Sequence, residues 1–192
     1  MTELHPLPPV TADERTTLEQ FLDYFRSVLV RKADGIDEAQ ARRQVGVSAM
    51  DMLGLVRHMA LVEQWWFSQA FAGSTEPDLW EDPDDHDADW HHSPADTLAV
   101  ALDALHTEID KARAVVAGAT TLDALTAIDV GPPDQPDRYR PRSPRCTLVH
   151  IIQAYARPCR HPHDSCCTGQ LRRGRKTRCP PRDFADHLPL LH

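Results

Sequence analysis

The residue types able to do chemistry in this 192-residue chain gather in three places. His58 stands in an apolar helical run between Leu55 and Met59, where an imidazole can hold a metal, carry a proton or fill a boundary position. Taken by itself, a histidine there is more often a hydrogen-bonded core or boundary residue than a ligand. The second place is the acidic segment Glu76 to His92, in which His86, His91 and His92 lie among carboxylates and could hold no more than a weak surface cation. The third is the C-terminal stretch, where Cys159, His161, His163, Cys166, Cys167 and Cys179 are all zinc-ligand types. No paired C-x2-C arrangement orders them, and Pro and Arg interleave them in place of a turn that would wrap an ion, so a tail zinc site is the weaker reading. The basic run Leu171 to Arg178 reads as a solvated segment before it reads as a nucleic-acid contact. Glu63, five residues after His58, reads as a solvated or salt-bridged residue before it reads as a partner of that histidine.

The elements that must position these residues are helices. Thr11 with Glu14 three residues on predicts a capping box, and Leu18, Phe21, Leu22, Phe25, Val28 and Leu29 follow at helical spacing until Gly35. Asp37 to Arg43 reads as a short polar helical turn. In the second helix Ser48 caps, Asp51 favours the positive end of the dipole, and Met52, Leu55, Val56, Met59, Val62 and Trp66 face inward up to about Gly73. The run from Glu76 to His92 is too acidic to bury itself and predicts a long surface crossover, with Trp80 and Trp90 available to pin it. Ser93-Pro94 predicts the start of a third helix, with Leu98, Leu102, Leu105, Ile109 and Val116 as its stripe and Gly118 as its end. A second long connection, rich in proline, runs from Asp129 to Pro144. The fourth helix begins near Ser143-Pro144 and carries Leu148, Val149, Ile152 and Tyr155 to Arg157, where Pro158 is expected to stop it.

Composition narrows the function. With 21 Lys+Arg against 29 Asp+Glu, a formal charge of −8 argues against nucleic acid or an anionic membrane as the main partner and favours a small molecule or a protein. No stretch approaches the roughly 18 apolar residues of a membrane span, and the N-terminus lacks a secretion signal, so a cytoplasmic protein is expected. All five cysteines lie at or after Cys146, which excludes a disulfide framework for the main body. Residues 158–192 carry seven Lys/Arg against three Asp/Glu, so the chain changes from acidic to basic near Arg157. The expected organisation is an all-α four-helix bundle with long crossover connections over residues 1–157, followed by an irregular tail over 158–192.

The segment SAMDMLGLVRHMALVEQWWF (Ser48 to Phe67), with TLEQFLDYFRSVLVRKADGIDEAQARR before it and SPRCTLVHIIQAYAR (Ser143 to Arg157) behind it, resembles the DinB-like superfamily. Within it the resemblance is to the branch of uncharacterised single-domain proteins related to mycothiol-dependent enzymes. It implies a metal-dependent enzyme that uses a low-molecular-weight thiol for S-transfer or isomerisation, with His58 on the first ligand of a divalent ion of the zinc or nickel class. The resemblance puts the other two ligands four residues apart on the last helix, beyond the histidine that stands here as His150. Residues at i and i+4 share a helix face, so such a pair and one ligand across the bundle would leave a fourth coordination position for water or thiol.

This chain departs from that pattern at the last helix. Four and eight residues after His150 stand Ala154 and Pro158, which bind no metal, and His161 is the one retained ligand type nearby. The ligands left to the chain are therefore His58, with His150 and His161 as recruits. Two readings account for the loss: a degraded site, or a coding sequence that shifts frame near codon 157, which also explains the lost periodicity, the cysteines and the change of charge. The functional expectations are a DinB-like protein with an incomplete ligand set or, in another class, a non-catalytic small-molecule-binding or interaction module that kept the bundle. A last helix stopped at Arg157 would leave part of the groove open, and with exposed Trp65 or Trp66 this would suit a homodimer.

Overall fold

The computed structural model describes residues 3–44, 50–126 and 142–167, the last ten of these by backbone alone. All regular structure among them is helical: α1 (Glu14–Ala33), the single turn α2 (Glu38–Ala41), α3 (Met52–Glu63), α4 (Leu98–Gly118) and α5 (Pro144–Cys167). The chain forms an all-α bundle. Helix α3 runs on without a break into a π-helical segment, Gln64–Phe71, and the left-handed Gly73 (φ 73°) lies just beyond the end of this run. Among the described residues no helix is long and apolar enough to cross a membrane.

Apolar periodicity explains the layers. Helix α3 and its π segment pack on α4, α1 packs on α5, and α3 touches α5 to close the core. Leu22 and Leu29 of α1, Leu53, Val56 and Met59 of α3, Leu105 and Ile109 of α4, and Leu148, Ile151 and Tyr155 of α5 fill the interior. Burying a side chain of this size stabilises by roughly 1.5–3 kcal/mol, so the stripes alone account for the association of the helices.

Local polar groups set the helix ends, and several differ from the sequence-based expectation. The N-cap of α1 is Asp13, whose side chain accepts from the Thr16 amide, and not Thr11; a carboxylate at the positive end of the helix dipole outdoes a hydroxyl. The capping box belongs instead to α2, where Asp37 and Gln40 bond reciprocally. Asp51 caps α3 through the Gly54 amide, while Ser48 lies outside the described residues. Helix α4 starts at Leu98 behind the N-cap Thr97, later than Ser93-Pro94 suggested, because Asp96 accepts from the Ser93 amide and makes a turn of that segment.

Helix α5 starts at Pro144 as expected but continues to Cys167, which overturns the expected stop at Arg157. An internal proline removes one rung of the hydrogen-bond ladder and crowds one carbonyl, at about 3 kcal/mol, and the remaining rungs carry the helix past it. Val149 is also not a core residue: it is exposed, and Thr147 and Ile151 are buried in its stead. The prolines of the second connection before Pro144, and tail residues 168–192, fall outside the described residues. The rims of that connection are tied together: the Thr126 amide donates to the Arg142 carbonyl (2.8 Å), and the Arg142 amide donates to Thr126 Oγ1 (3.0 Å).

Candidate functional site

His58 lies in the middle of α3 with its side chain 23% exposed. Its Nδ1 is 2.6 Å from Asp89 Oδ2, and its ring stacks on Trp90 with centroids 4.6 Å apart. A carboxylate can only accept, so Nδ1 carries a proton. Both partners come from the acidic crossover, which the sequence places on the surface with Trp80 and Trp90 to pin it. Asp89 is 3% exposed, unlike the other aspartates of that run.

The crossover is held in place by α3. Arg57, next to His58, turns back along the loop and donates to the Ala88 and Asp89 carbonyls (2.7 and 3.0 Å) and to the Asp96 carboxylate (2.7 Å). Trp80, in a left-handed conformation (φ 58°), covers the Arg57 guanidinium at 4.6 Å. Gln64 bonds the Pro77 carbonyl and the Leu79 amide, which fixes the start of the loop. At its other end His92 Nε2 meets the capping carboxylate of Asp51 at 2.7 Å, while Arg42 donates to His92 Nδ1 at 2.9 Å. Trp80 and Trp90 therefore pin the loop as the sequence suggested, and His92 is a structural residue. The exposed His91 pairs with Asp85, whose hydrogen bond raises the imidazole pKa above its ordinary value. A depression of about 230 Å³ is lined by Asp89 together with Leu61, Leu79, Trp80, Asp82 and His86.

His150 lies on α5 with quite different company. Its ring is tilted on Trp66, centroids 4.6 Å apart, and the Arg142 guanidinium lies 4.9 Å over the same indole. Burial pushes the His150 imidazole down to about 4, and the charges of Arg142 and Arg157 push in the same direction. Arg142 Nη1 is buried without a hydrogen-bond partner among the described residues. Trp66 is thus buried at 7% exposure, as its place in the inward stripe of the helix implied, and so is not the exposed surface that the homodimer reading used.

Glu63 points away from this chemistry. Its carboxylate is fully buried, receives Arg26 Nε (2.8 Å) and Nη2 (2.6 Å), and accepts from Tyr155 Oη (2.7 Å). Arg26 also bonds Asp23, and its own pKa rises because the carboxylates outweigh its burial. Glu63 is a salt-bridged residue, as one of the two sequence readings had it, but inside the core and not on a solvated face.

The metal implied by the resemblance can be tested on these residues. Among the described residues no three His, Cys, Asp or Glu side chains come together. His150 is a neutral ring, as a ligand must be, yet the fields of two arginines oppose a divalent ion beside it. Ala154 carries no donor, and the side chain of His161 lies outside the described residues. The described donors therefore do not fit a three-ligand ion. Sequence reasoning found His58 but missed Asp89, Arg57 and Trp90 as its supports, because loop residues have no period; the sole signal was an aspartate beside a tryptophan inside an otherwise solvated acidic run.

The family model described as mycothiol-S-transferase matches residues 17–162, from within α1 to within α5, and passes Arg157. No curated protein and no solved structure matches the chain.

Proposed function

The chain belongs to the mycothiol-S-transferase family, and from that premise we propose that it is a DinB-like, thiol-handling protein, of the S-transfer or isomerisation class, whose working residue is His58. The observation that carries this reading is the setting of that imidazole: half-buried on the central helix, bonded through Nδ1 to the buried Asp89 and stacked on Trp90. A ring fixed in this way can accept a hydrogen bond from, or orient, a thiol. A divalent ion of the zinc or nickel class would find His58 but an incomplete set beyond it, so metal is held weakly. Water or a thiol gains acidity from a bound divalent ion when one is present; here the chain's own residues supply the orientation and the acceptor.

The test uses the purified full-length chain with a low-molecular-weight thiol and a fluorogenic electrophile, alongside elemental analysis. The expected outcome is thiol conjugation above the uncatalysed rate, lost in His58→Ala, with metal below one ion per chain. One tightly held ion per chain that His58→Ala removes would overturn the incomplete-site part. No acceleration with any thiol would overturn the enzyme and leave a non-catalytic binding module.

A further inference from the structure

We infer that His92 is a proton-operated latch between α2 and the crossover: the neutral ring holds the Arg42 guanidinium, and a second proton on that ring expels it, loosening the single turn α2 from the end of the crossover while the bond to Asp51 stays. The latch involves neither His58 nor a bound ligand.

The chemistry of the two partners fixes the state of the ring. Asp51 is a carboxylate and can only accept, so Nε2 of His92, 2.7 Å from Asp51 Oδ2, carries a proton. Arg42 is a guanidinium and can only donate, so Nδ1, 2.9 Å from Arg42 Nη1, is the bare acceptor. Both ring nitrogens are engaged, and the arrangement is that of the neutral imidazole. A second proton has one place to go, Nδ1, where it removes the acceptor and sets two cations face to face. The His92 side chain is 13% exposed, so water screens that contact little. On its other side the protonated ring meets the Asp51 carboxylate as full charge against full charge, so the ring stays with α3 and Arg42 is the partner that leaves.

The charged groups around Arg42 are already committed. Glu38 Oε2 lies 3.9 Å from Arg42 Nε, and its Oε1 accepts from the Leu98 amide. The Asp96 carboxylate accepts from Arg57 and from the Ser93 amide, and His91 is turned to Asp85. Besides His92, Arg42 holds the backbone carbonyls of Ser93 and Asp96, and the bond to Ser93 leaves from the same Nη1 that faces the imidazole. The guanidinium therefore cannot back away from a protonated ring without disturbing its hold on the crossover. This matters for α2, a four-residue turn far below the length at which a helix stands alone. Arg42 is its C-cap, and the Ala41 and Arg42 amides close it on the Asp37 and Glu38 carbonyls (2.8 and 3.2 Å). Displacing the Arg42 side chain loosens the turn at the residue that ends it.

The experiment takes ¹⁵N-labelled, full-length protein from about pH 8 to about pH 5, the range in which an imidazole changes charge. The His92 ring nitrogens and the hydrogen-exchange protection of the Ala41 and Arg42 amides are recorded together, with His92 assigned by its absence in His92→Gln. Expected at the alkaline end is an acceptor-type Nδ1 and a protonated Nε2. As Nδ1 gains its proton, protection at Ala41 and Arg42 should fall about tenfold, the worth of one hydrogen bond. The Gly54 amide, capped by Asp51, should keep its protection throughout. In Arg42→Gln, whose amide can turn to accept from a protonated Nδ1, protection of α2 should be the same at both ends of the range. A protonated Nδ1 at the alkaline end, a ring that takes up no second proton before the chain unfolds, or α2 protection that ignores the proton on Nδ1 each overturns the latch. Protection lost at Gly54 in place of α2 would make Asp51 the partner released, and overturns it as well.

Discussion

Glu63 and His58 are five residues apart on one helix and sit in opposite physical situations. At Glu63 the interior is closed and every strong group is answered: a two-point guanidinium contact, a phenol donor, and no exposure to water. At His58 the site is built by a loop, the side chain is 23% exposed, and the Asp89 carboxylate bonds the ring. The first arrangement has nothing left to offer a ligand. The second is held by Asp89 and Trp90 on a loop that α3 itself anchors. His150 extends the comparison, because its neighbours are arginines where those of His58 include a carboxylate. Two histidines that the resemblance assigned to one site thus have unlike neighbours.

The largest expected effect separates the two positions on α3. Glu63→Ala leaves Arg26 buried against a vacancy and should lower stability by about 3–5 kcal/mol, while His58→Ala should lower it by about 1–2 kcal/mol. Urea unfolding of both variants checks this, and a reversed order would mean that His58 is the structural residue.

The next effect concerns His150. Its folded-state pKa is depressed to about 4 from an ordinary 6.5, so the unfolded chain takes up the proton first as pH falls. The associated stability is complete above about pH 6.5 and is lost progressively toward pH 4, to the extent of about 2 kcal/mol once solvent reaching the half-buried ring is allowed for. His150→Gln should show a correspondingly smaller fall in urea midpoint between pH 7.5 and 4.5. An identical fall in variant and wild type would break the contrast between the two histidines.

The smallest effect sharpens the interior. Tyr155→Phe removes one donor to Glu63 but leaves both guanidinium bonds, so a loss of about 1 kcal/mol is expected from the same unfolding measurement. A loss as large as that of Glu63→Ala would make the phenol the main partner of the carboxylate.

Much of this was legible in the sequence. Apolar spacing located α3, placed His58 in its middle, and gave the start of α5 at Pro144. Asp37 to Arg43 read as a short polar helical turn, and the two tryptophans of the crossover marked its anchors. What could not be read is non-local. Arg26 and Glu63 are separated by 37 positions, and no local pattern tells a paired core charge from a solvated one. Asp89 reads like its exposed neighbours until Arg57 is seen to fix its backbone. The continuation of α5 past Pro158 was misjudged because a local rule about proline was applied as an absolute stop, although one missing rung is a finite penalty. Likewise the helical stripe places Trp66 inward, but nothing in its own helix announces that α5 will lay His150 over it.

The grip of Arg57 on the end of the crossover has a consequence for chain continuity. Residues from Ala88 onward are attached to α3 by side-chain bonds and not by the peptide that precedes them, and Gln64 does the same for Pro77 and Leu79. The exposed stretch from Glu81 to Asp84 between these anchors is thus a bridge with both banks secured. A protease nick there, or new termini placed there by circular permutation, would leave Asp89 and Trp90 where they are: the imidazole keeps its setting through folding, not through the covalent path that delivered it.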